Sequence, residues 1–179
     1  MSDKKTLEML FHESGYEDFR WIDSEAISVR NWVRMKCMYG CGDFGQNASC
    51  PPNVPPVSEC REFVREYNDI AVFHFSAVLD KPEDRHSWTR GINKGLLDLE
   101  RKIFWKGFHK AFLLFLDSCT LCKHCGDNRQ DCKNKTDSRP TPEALGIDVF
   151  DTVRKIAYPI EVLSAYNQPM NRYAFLFIE

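Results

Sequence analysis

The pattern of apolar and polar positions predicts a chain built from both helices and strands. Apolar residues at steps of three and four give a buried face to residues 3–14, to 57–67 and to a long segment that opens at 81–84. The long segment has the clearest apolar stripe, formed by Trp88, Ile92, Leu96, Leu99 and Ile103. Such a stripe is typical of a helix that packs on a core, so we expect three helices here.

Strand patterns alternate with these helices along the chain. Residues 69–78, 111–116 and 173–178 are almost continuously apolar, which is typical of strands covered on both faces, and 111–116 looks like a central strand. Two further segments, 16–22 and 27–35, are aromatic-rich or alternate apolar with polar residues, which predicts half-buried strands. The second of them runs directly into Cys37.

A last helix is predicted after Arg139. Thr141 can cap it, Pro142 suits its first turn, and its buried face contains Leu145, Val149, Val153 and Ile156. The sum of these elements predicts an α+β or α/β layered fold, with helices packed on a mixed central sheet of about five strands. We expect one domain over residues 1–179, because no Gly-, Ser- or Pro-rich linker divides the chain.

Composition narrows the possible partners and the compartment. The 43% of apolar residues and the thirteen phenylalanines indicate a substantial core, while a net charge of -2 argues against nucleic acid or an anionic membrane as a partner. The N-terminus lacks the apolar stretch of a signal peptide, and residues 111–116 are too few to span a bilayer. We therefore expect a soluble cytoplasmic protein, in which eight cysteines indicate metal or redox chemistry rather than disulfides.

The densest chemical motif lies at residues 119–132, where four cysteines are spaced C-x2-C-x2-C-x6-C: Cys119, Cys122, Cys125 and Cys132. Three thiolates at such short steps can face one centre while the fourth arrives from beyond a turn, which is how chains wrap iron-sulfur clusters. Zinc is the main rival, but structural zinc sites usually pair two C-x2-C knuckles or add histidines at regular spacing. A redox-active pair, Cys122 with Cys125, is less favoured because two further cysteines accompany it.

A second group of cysteines lies at residues 37–60, and we expect both cysteine segments at one end of the sheet. It consists of Cys37, Cys41, Cys50 and Cys60 at irregular spacings. Cys60 shares a helical face with Val57 and Val64, so spacing leaves two roles open for it: a fourth ligand, or an inert core thiol. Eight cysteines divide into two sets of four with no odd thiol, which favours a second site.

Other polar residues carry weaker signals. The five histidines are scattered without metal-ligand spacing, and His74 falls inside a strand, where a hydrogen-bonded structural role is the commoner one. Asp148 could contact a cysteine loop or cap a helix. Five basic side chains could raise the potential of a nearby cluster or form a solvated loop surface: Lys123, His124, Arg129, Lys133 and Lys135.

The order of these motifs resembles a known family. The segments Cys37 to Cys41, Ser49-Cys50-Pro51-Pro52, Glu59-Cys60, the four-cysteine run 119–132 and 139–149 are similar to predicted metal-binding proteins of anaerobic bacteria and methanogenic archaea, catalogued as a domain of unknown function. The likeness extends from Val33 to the C-terminus. It implies that all eight cysteines are ligand candidates, Cys60 included, in an anaerobic iron-sulfur context, but it implies no reaction.

Three functions follow as hypotheses. The leading one is an electron carrier or redox accessory protein with two 4Fe-4S clusters and a redox partner protein. The first alternative is a zinc-stabilised interaction module, which would be colourless. The second is an enzyme in which only Cys37, Cys41 and Cys50 hold one cluster, leaving an open iron as Lewis acid for a substrate. The oligomeric state stays open.

Overall fold

The computed structural model describes residues 3–81, 83–165 and 167–179. Within them, four strands form one antiparallel sheet in the spatial order β1-β2-β4-β3: β1 (Phe19–Ile22), β2 (Ile70–Ala77), β3 (Phe112–Leu114) and β4 (Met170–Phe177). Five α-helices accompany the sheet: α1 (Asp3–Glu13), α2 (Asn31–Gly40), α3 (Val57–Arg65), α4 (Asp84–Trp105) and α5 (Val149–Lys155). Short 3-10 helices lie at Ser24–Ala26 and Glu143–Leu145.

The predicted mixture of helices and sheet is confirmed, but the sheet is antiparallel rather than mixed and has four strands rather than five. Its strands are apolar on both sides because helices cover both faces. On β2, Ile70 and Val72 face the core that contains residues of α3 and α5, whereas Ala71 and Phe73 face the core beneath α1 and α4. Double coverage, rather than parallel strand pairing, explains the continuous apolar runs.

The segment 111–116 is an edge strand, not the central strand that its composition predicted. N–H groups of this segment that do not pair with β4 are nevertheless bonded: Leu113 to Glu100 Oε1 at 2.8 Å, Phe115 to the Pro140 carbonyl at 2.9 Å, and Leu116 to Asn93 Oδ1 at 3.3 Å. The two side-chain acceptors come from α4. An edge satisfied in this way is covered as fully as a central strand, which allows its apolar residues to be buried.

The strand predicted over residues 27–35 is wrong beyond its first residues. The chain is extended at Val29, which makes a single antiparallel bridge to Ile147, and α2 then begins at Asn31. In this helix Val33 faces the core, whereas Met35 is 51% exposed. The alternating apolar and polar residues beyond Val29 therefore do not form a strand. They belong to α2, which packs against the 3-10 helix Glu143–Leu145.

The helix predicted after Arg139 is interrupted. Thr141 Oγ1 does accept the Ala144 N–H at 3.2 Å, but the helical turn ends at Gly146, which adopts a φ of 83°. A Cβ at Gly146 would lie only 3.0 Å from Val57 Cγ1, so close packing against α3 also favours glycine here. Asp148 then caps α5 by accepting the Asp151 N–H at 3.0 Å. The predicted buried face is kept across the break by Leu145, Val149 and Val153.

The remaining predicted helices are confirmed as α1, α3 and α4. On α4, Leu96, Leu99 and Ile103 are fully buried. The N-terminal turns of α4, the start of β4 and the exit of β3 lie at the same end of the sheet, because they line one cavity with both cysteine segments. The fold thereby places both segments at one end, as expected.

Candidate metal centre

The second cysteine segment in chain order, residues 119–132, begins shortly after β3 and contains no helix or strand. The first cysteine segment is residues 37–60. The four cysteines of the second segment, Cys119, Cys122, Cys125 and Cys132, line one small cavity of about 10 Å³. Gly126 lets the loop fold back on itself, since a Cβ there would lie 2.6 Å from the Asp131 carbonyl oxygen. The C-x2-C-x2-C-x6-C spacing therefore places all four cysteines along one cavity.

Three of these four sulfurs have a hydrogen-bonding partner. Ala48 N–H donates to Cys125 Sγ at 3.3 Å, Asn134 Nδ2 donates to Cys122 Sγ at 2.8 Å, and Ser138 Oγ lies 3.4 Å from Cys132 Sγ. Donors around sulfur stabilise the thiolate form, which is the form that binds metals. The donor set fits a thiolate-bound metal centre.

The first cysteine segment contributes three thiols to a neighbouring cavity. Cys37 lies in α2, Cys41 directly follows this helix, and Cys50 lies in the turn-rich loop beyond. These three, together with Cys119, Cys122 and Cys125, line a larger cavity of about 510 Å³. Six of the eight predicted ligands therefore border one space.

Hydrogen bonds hold the two segments against each other. Asn47 Nδ2 donates to the Cys119 carbonyl at 2.9 Å, and Asn53 Nδ2 donates to the Asp127 carbonyl at 3.0 Å. The Ala48 N–H bond to the Cys125 sulfur is a third link. The loops thus form one unit, although more than sixty residues separate them in the chain.

Cys60 lies in a different place. It is 2% exposed on the buried face of α3 and belongs to the core formed with Val57 and Val64. Its thiol donates to the Pro55 carbonyl at 3.5 Å, and it lines an apolar cavity of about 260 Å³ with residues such as Phe63. The structure does not bring Cys60 to either of the cavities that the other cysteines line.

Burial shifts the thiol equilibria of the cysteines toward the protonated form. Loss of solvation, reinforced by the nearby thiols of Cys37, Cys41, Cys119 and Cys125, raises the pKa of Cys50 to about 12. Burial likewise raises the pKa of Cys37, Cys60 and Cys119 above the ordinary thiol value. At neutral pH these thiols are protonated without metal, so metal binding here must release protons.

Basic side chains from α4 and β4 also line the larger cavity. Arg85, His86 and Arg90 come from the first turns of α4, and Arg172 comes from β4. Lys123 approaches from the second cysteine loop, and three acids complete the charged lining: Asp43, Asp117 and Glu143. Arg85 Nε lies 2.8 Å from Asp117 Oδ2, so these two charges are paired.

Several residues that the sequence singled out have structural roles. Both ring nitrogens of His74 are engaged, Nδ1 with Asp18 at 2.6 Å and Nε2 with Asn171 at 2.8 Å. Burial tends to raise the pKa of Asp18, but hydrogen bonds from His74 and Tyr158 outweigh it and lower the pKa below its ordinary value. Asp148 is the α5 cap, which confirms the capping alternative.

The basic side chains of the second loop differ in position. Arg129 is turned back onto its own loop, where it donates to Ser138 Oγ and to the Lys135 carbonyl. The other four basic residues, Lys123, His124, Lys133 and Lys135, are all exposed, and of these Lys123 lines the larger cavity. Of the five basic residues predicted near the second loop, Lys123 is the one placed beside both cysteine segments in the described structure.

Sequence reasoning missed the cationic wall of the larger cavity. Arg85, His86 and Arg90 belong to an ordinary amphipathic helix, and nothing in their spacing indicates that this helix starts beside the cysteines. Arg172 carried a signal, because a charged residue precedes the apolar run of a buried strand.

Neither a preformed metal site nor a membrane-spanning helix is found among the described residues. Within the part of the chain that the structure describes, no group of three or more His, Cys, Asp or Glu residues is arranged to hold a metal ion. Among the helices of the described residues, none combines the length and apolar character that crossing a bilayer requires.

Comparison with known proteins identifies one family. A family model described as "Predicted metal-binding protein (DUF2284)" matches residues 20–178, which is nearly the whole chain. No curated protein and no solved structure matches the chain.

Proposed function

This chain belongs to the DUF2284 family of predicted metal-binding proteins, and we propose that it is a redox accessory protein that carries electrons on two 4Fe-4S clusters. The observation that carries the proposal is the second cysteine loop. Four thiols at C-x2-C-x2-C-x6-C spacing line one cavity, and three of the four sulfurs have a hydrogen-bonding partner. This combination favours thiolate ligation of a metal centre.

One cluster is proposed for the second cysteine loop, where its ligands would be Cys119, Cys122, Cys125 and Cys132. The cavity of about 10 Å³ is near the size of one water molecule, so the loop must move outward when a cluster is assembled. A segment without helix or strand can make this movement without disrupting the sheet.

The other cluster is proposed for the first cysteine segment, where its ligands would be Cys37, Cys41 and Cys50. We leave Cys60 out of this set because its thiol bonds to a carbonyl in the core and lines a different cavity. Three protein ligands would leave one iron free to bind a small molecule. The large cavity beside these thiols therefore favours a second candidate function, an enzyme in which this iron acts as a Lewis acid.

The surrounding residues would tune the reduction potential of the clusters and give a partner protein access to them. A bound cluster of this type provides one-electron redox chemistry. Asn134 and the Ala48 N–H donate to sulfur and should raise the reduction potential, since hydrogen bonds stabilise the more negative reduced state. Cys41 and Cys125 are exposed, which suits electron exchange with a partner protein at the surface.

The proposed setting is the cytoplasm of an anaerobic cell. Eight cysteines without a disulfide among them fit a reducing compartment, and oxygen-sensitive clusters fit an anaerobic one. Zinc bound by the same four thiols of the second loop is the remaining alternative, in which the loops would serve only as a docking surface.

Anaerobic purification followed by analysis of iron, zinc and acid-labile sulfide tests the proposal. We expect a brown protein with about eight irons and eight sulfides per chain, and an electron paramagnetic resonance signal after reduction. Cys122→Ser should remove about half of the iron, whereas Cys60→Ser should leave it unchanged. A colourless protein that contains zinc and no sulfide would refute the electron-carrier role.

A further inference from the structure

We propose that the cavity of about 510 Å³ between the two cysteine segments binds a small oxyanion, a molecule with a carboxylate or phosphate group, through Arg90, Arg172 and Lys123. This binding site goes beyond the proposed redox role, and it does not depend on which metal the thiols bind. Its volume lies within the range of about 300–1,000 Å³ that is usual for small-molecule sites.

Charge is the first argument. Four permanent cations and three acids line the cavity. Arg85 is paired with Asp117, which leaves three cations facing Asp43 and Glu143. The cationic groups therefore outnumber their available partners on this wall.

Unpaired polar atoms are the second argument. Arg172 Nε, His86 Nδ1 and Thr120 Oγ1 are buried, and none of them has a hydrogen-bond partner in the described structure. All three residues line this cavity. Arg85 Nε and Asp117 Oδ2 also lack a hydrogen bond of good geometry there, but they lie 2.8 Å apart as an ion pair. Buried polar groups in proteins are nearly always bonded, and the arginine nitrogen can only donate. Three such atoms around one space indicate a ligand that brings acceptor oxygens.

The chemistry of the lining selects the ligand class. A guanidinium group offers a planar pair of N–H donors that matches the two oxygens of a carboxylate or phosphate. Arg90 and Arg172 approach from different elements, α4 and β4, so a bound anion would be held between the helix and the sheet. The cysteine thiols form the remaining wall, so the anion would lie beside the proposed metal centres.

A different explanation is that these cations only balance the negative charge of metal-bound thiolates. Both explanations predict that removing an arginine changes the reduction potential of a neighbouring cluster. Only the proposed site predicts saturable binding of a free anion, with one anion bound per chain.

Isothermal titration calorimetry on the anaerobically purified protein separates the two explanations. Phosphate, acetate and succinate are titrated at constant ionic strength, and the tighter class identifies the source of the oxyanion. We expect one binding site, weakened about tenfold or more in Arg172→Gln and in Arg90→Gln, since each loses a charge-assisted hydrogen bond. Arg65→Gln is the matched control, because it removes the same charge from an exposed position on α3. Arg65 lines a separate cavity with Arg30, Arg61 and Lys155, so this variant also tests that cavity as the place where the anion binds.

The outcomes decide the proposal in each case. Two independent arginine variants guard against misfolding of one, and circular dichroism checks both. Absence of binding by any of the three anions at millimolar concentration would overturn the site, as would an equal loss of affinity in Arg65→Gln. Iron and sulfide are measured on the same samples. If the purified protein contained zinc and no sulfide but still bound the anion, the metal content would refute the electron-carrier role and the binding would support the anion site.

Discussion

Replacing Cys60 with alanine tests how the eight cysteines are divided. The side chain is 2% exposed, and its weak thiol hydrogen bond to Pro55 spans 3.5 Å. Removing one buried sulfur costs about 1 kcal/mol, by analogy with a buried methylene group. Alanine is the better helix former, which returns up to about 0.7 kcal/mol on α3. The free energy of unfolding should therefore fall by no more than about 1 kcal/mol.

Iron content is the decisive measurement for this variant. We expect Cys60→Ala to keep the full complement of iron and sulfide, because the thiol lies in the core and lines neither of the cavities bordered by the other cysteines. Cys50→Ala is the matched control, since Cys50 is also largely desolvated but lies among the proposed ligands. It should lose about four irons per chain.

One result would refute this reasoning. If Cys60→Ala lost about four irons while its circular dichroism and melting temperature stayed close to those of the parent protein, Cys60 would be a ligand. The loop and α3 would then have to rearrange when the cluster is assembled. The open coordination position proposed beside the large cavity would be lost with that result.

Four further changes test the fold and the site. Glu100→Ala should lower the free energy of unfolding by about 3–5 kcal/mol in chemical denaturation, because it removes the buried acceptor of both the partly buried Arg139 guanidinium and the Leu113 N–H; a loss below 1 kcal/mol would contradict this. Gly146→Ala should cost about 2–4 kcal/mol by the same assay, from its φ of 83° and its crowding against a valine of α3, and a neutral effect would show that the chain relaxes there. Asn134→Ala should lower the reduction potential in a redox titration, since it removes a donor to sulfur; an unchanged potential would place the cluster elsewhere. The lowered pKa of Asp18 means that its contribution to stability is complete above about pH 4, the unfolded-state pKa, and is lost as pH falls through the folded-state value, so Asp18→Asn should make stability less dependent on pH in acid.

Much of the fold could be predicted because short-range periodicity reflects burial. The faces of α1, α3 and α4 follow from apolar spacing alone, and β2 and β4 follow from their continuous apolar runs. Errors occurred where a distant partner decided the conformation. Residues 31–35 belong to α2, which packs against the distant 3-10 helix Glu143–Leu145, and the contact between Gly146 and α3 accompanies a break in the last helix that its periodicity does not show.

The site shows the same division. Spacing was enough to identify residues 119–132 as a ligand loop, because ligands that are close in sequence must be close in space. Spacing could not decide the role of Cys60, nor show that Arg90 and Arg172 face the thiols. Those placements depend on how α3, α4 and β4 pack on the sheet.

By itself, then, the amino-acid sequence determined most of the helices and strands, the buried faces of α1, α3 and α4, and the short loop in which four cysteines lie close together. Only the tertiary structure decided that the sheet is antiparallel, that seven cysteines border two adjoining cavities while the eighth lies in the core, and that a cationic wall faces the thiols. The physical reason is range: periodicity and ligand spacing act over a few residues, whereas strand order and cavity walls depend on contacts between residues far apart in the chain.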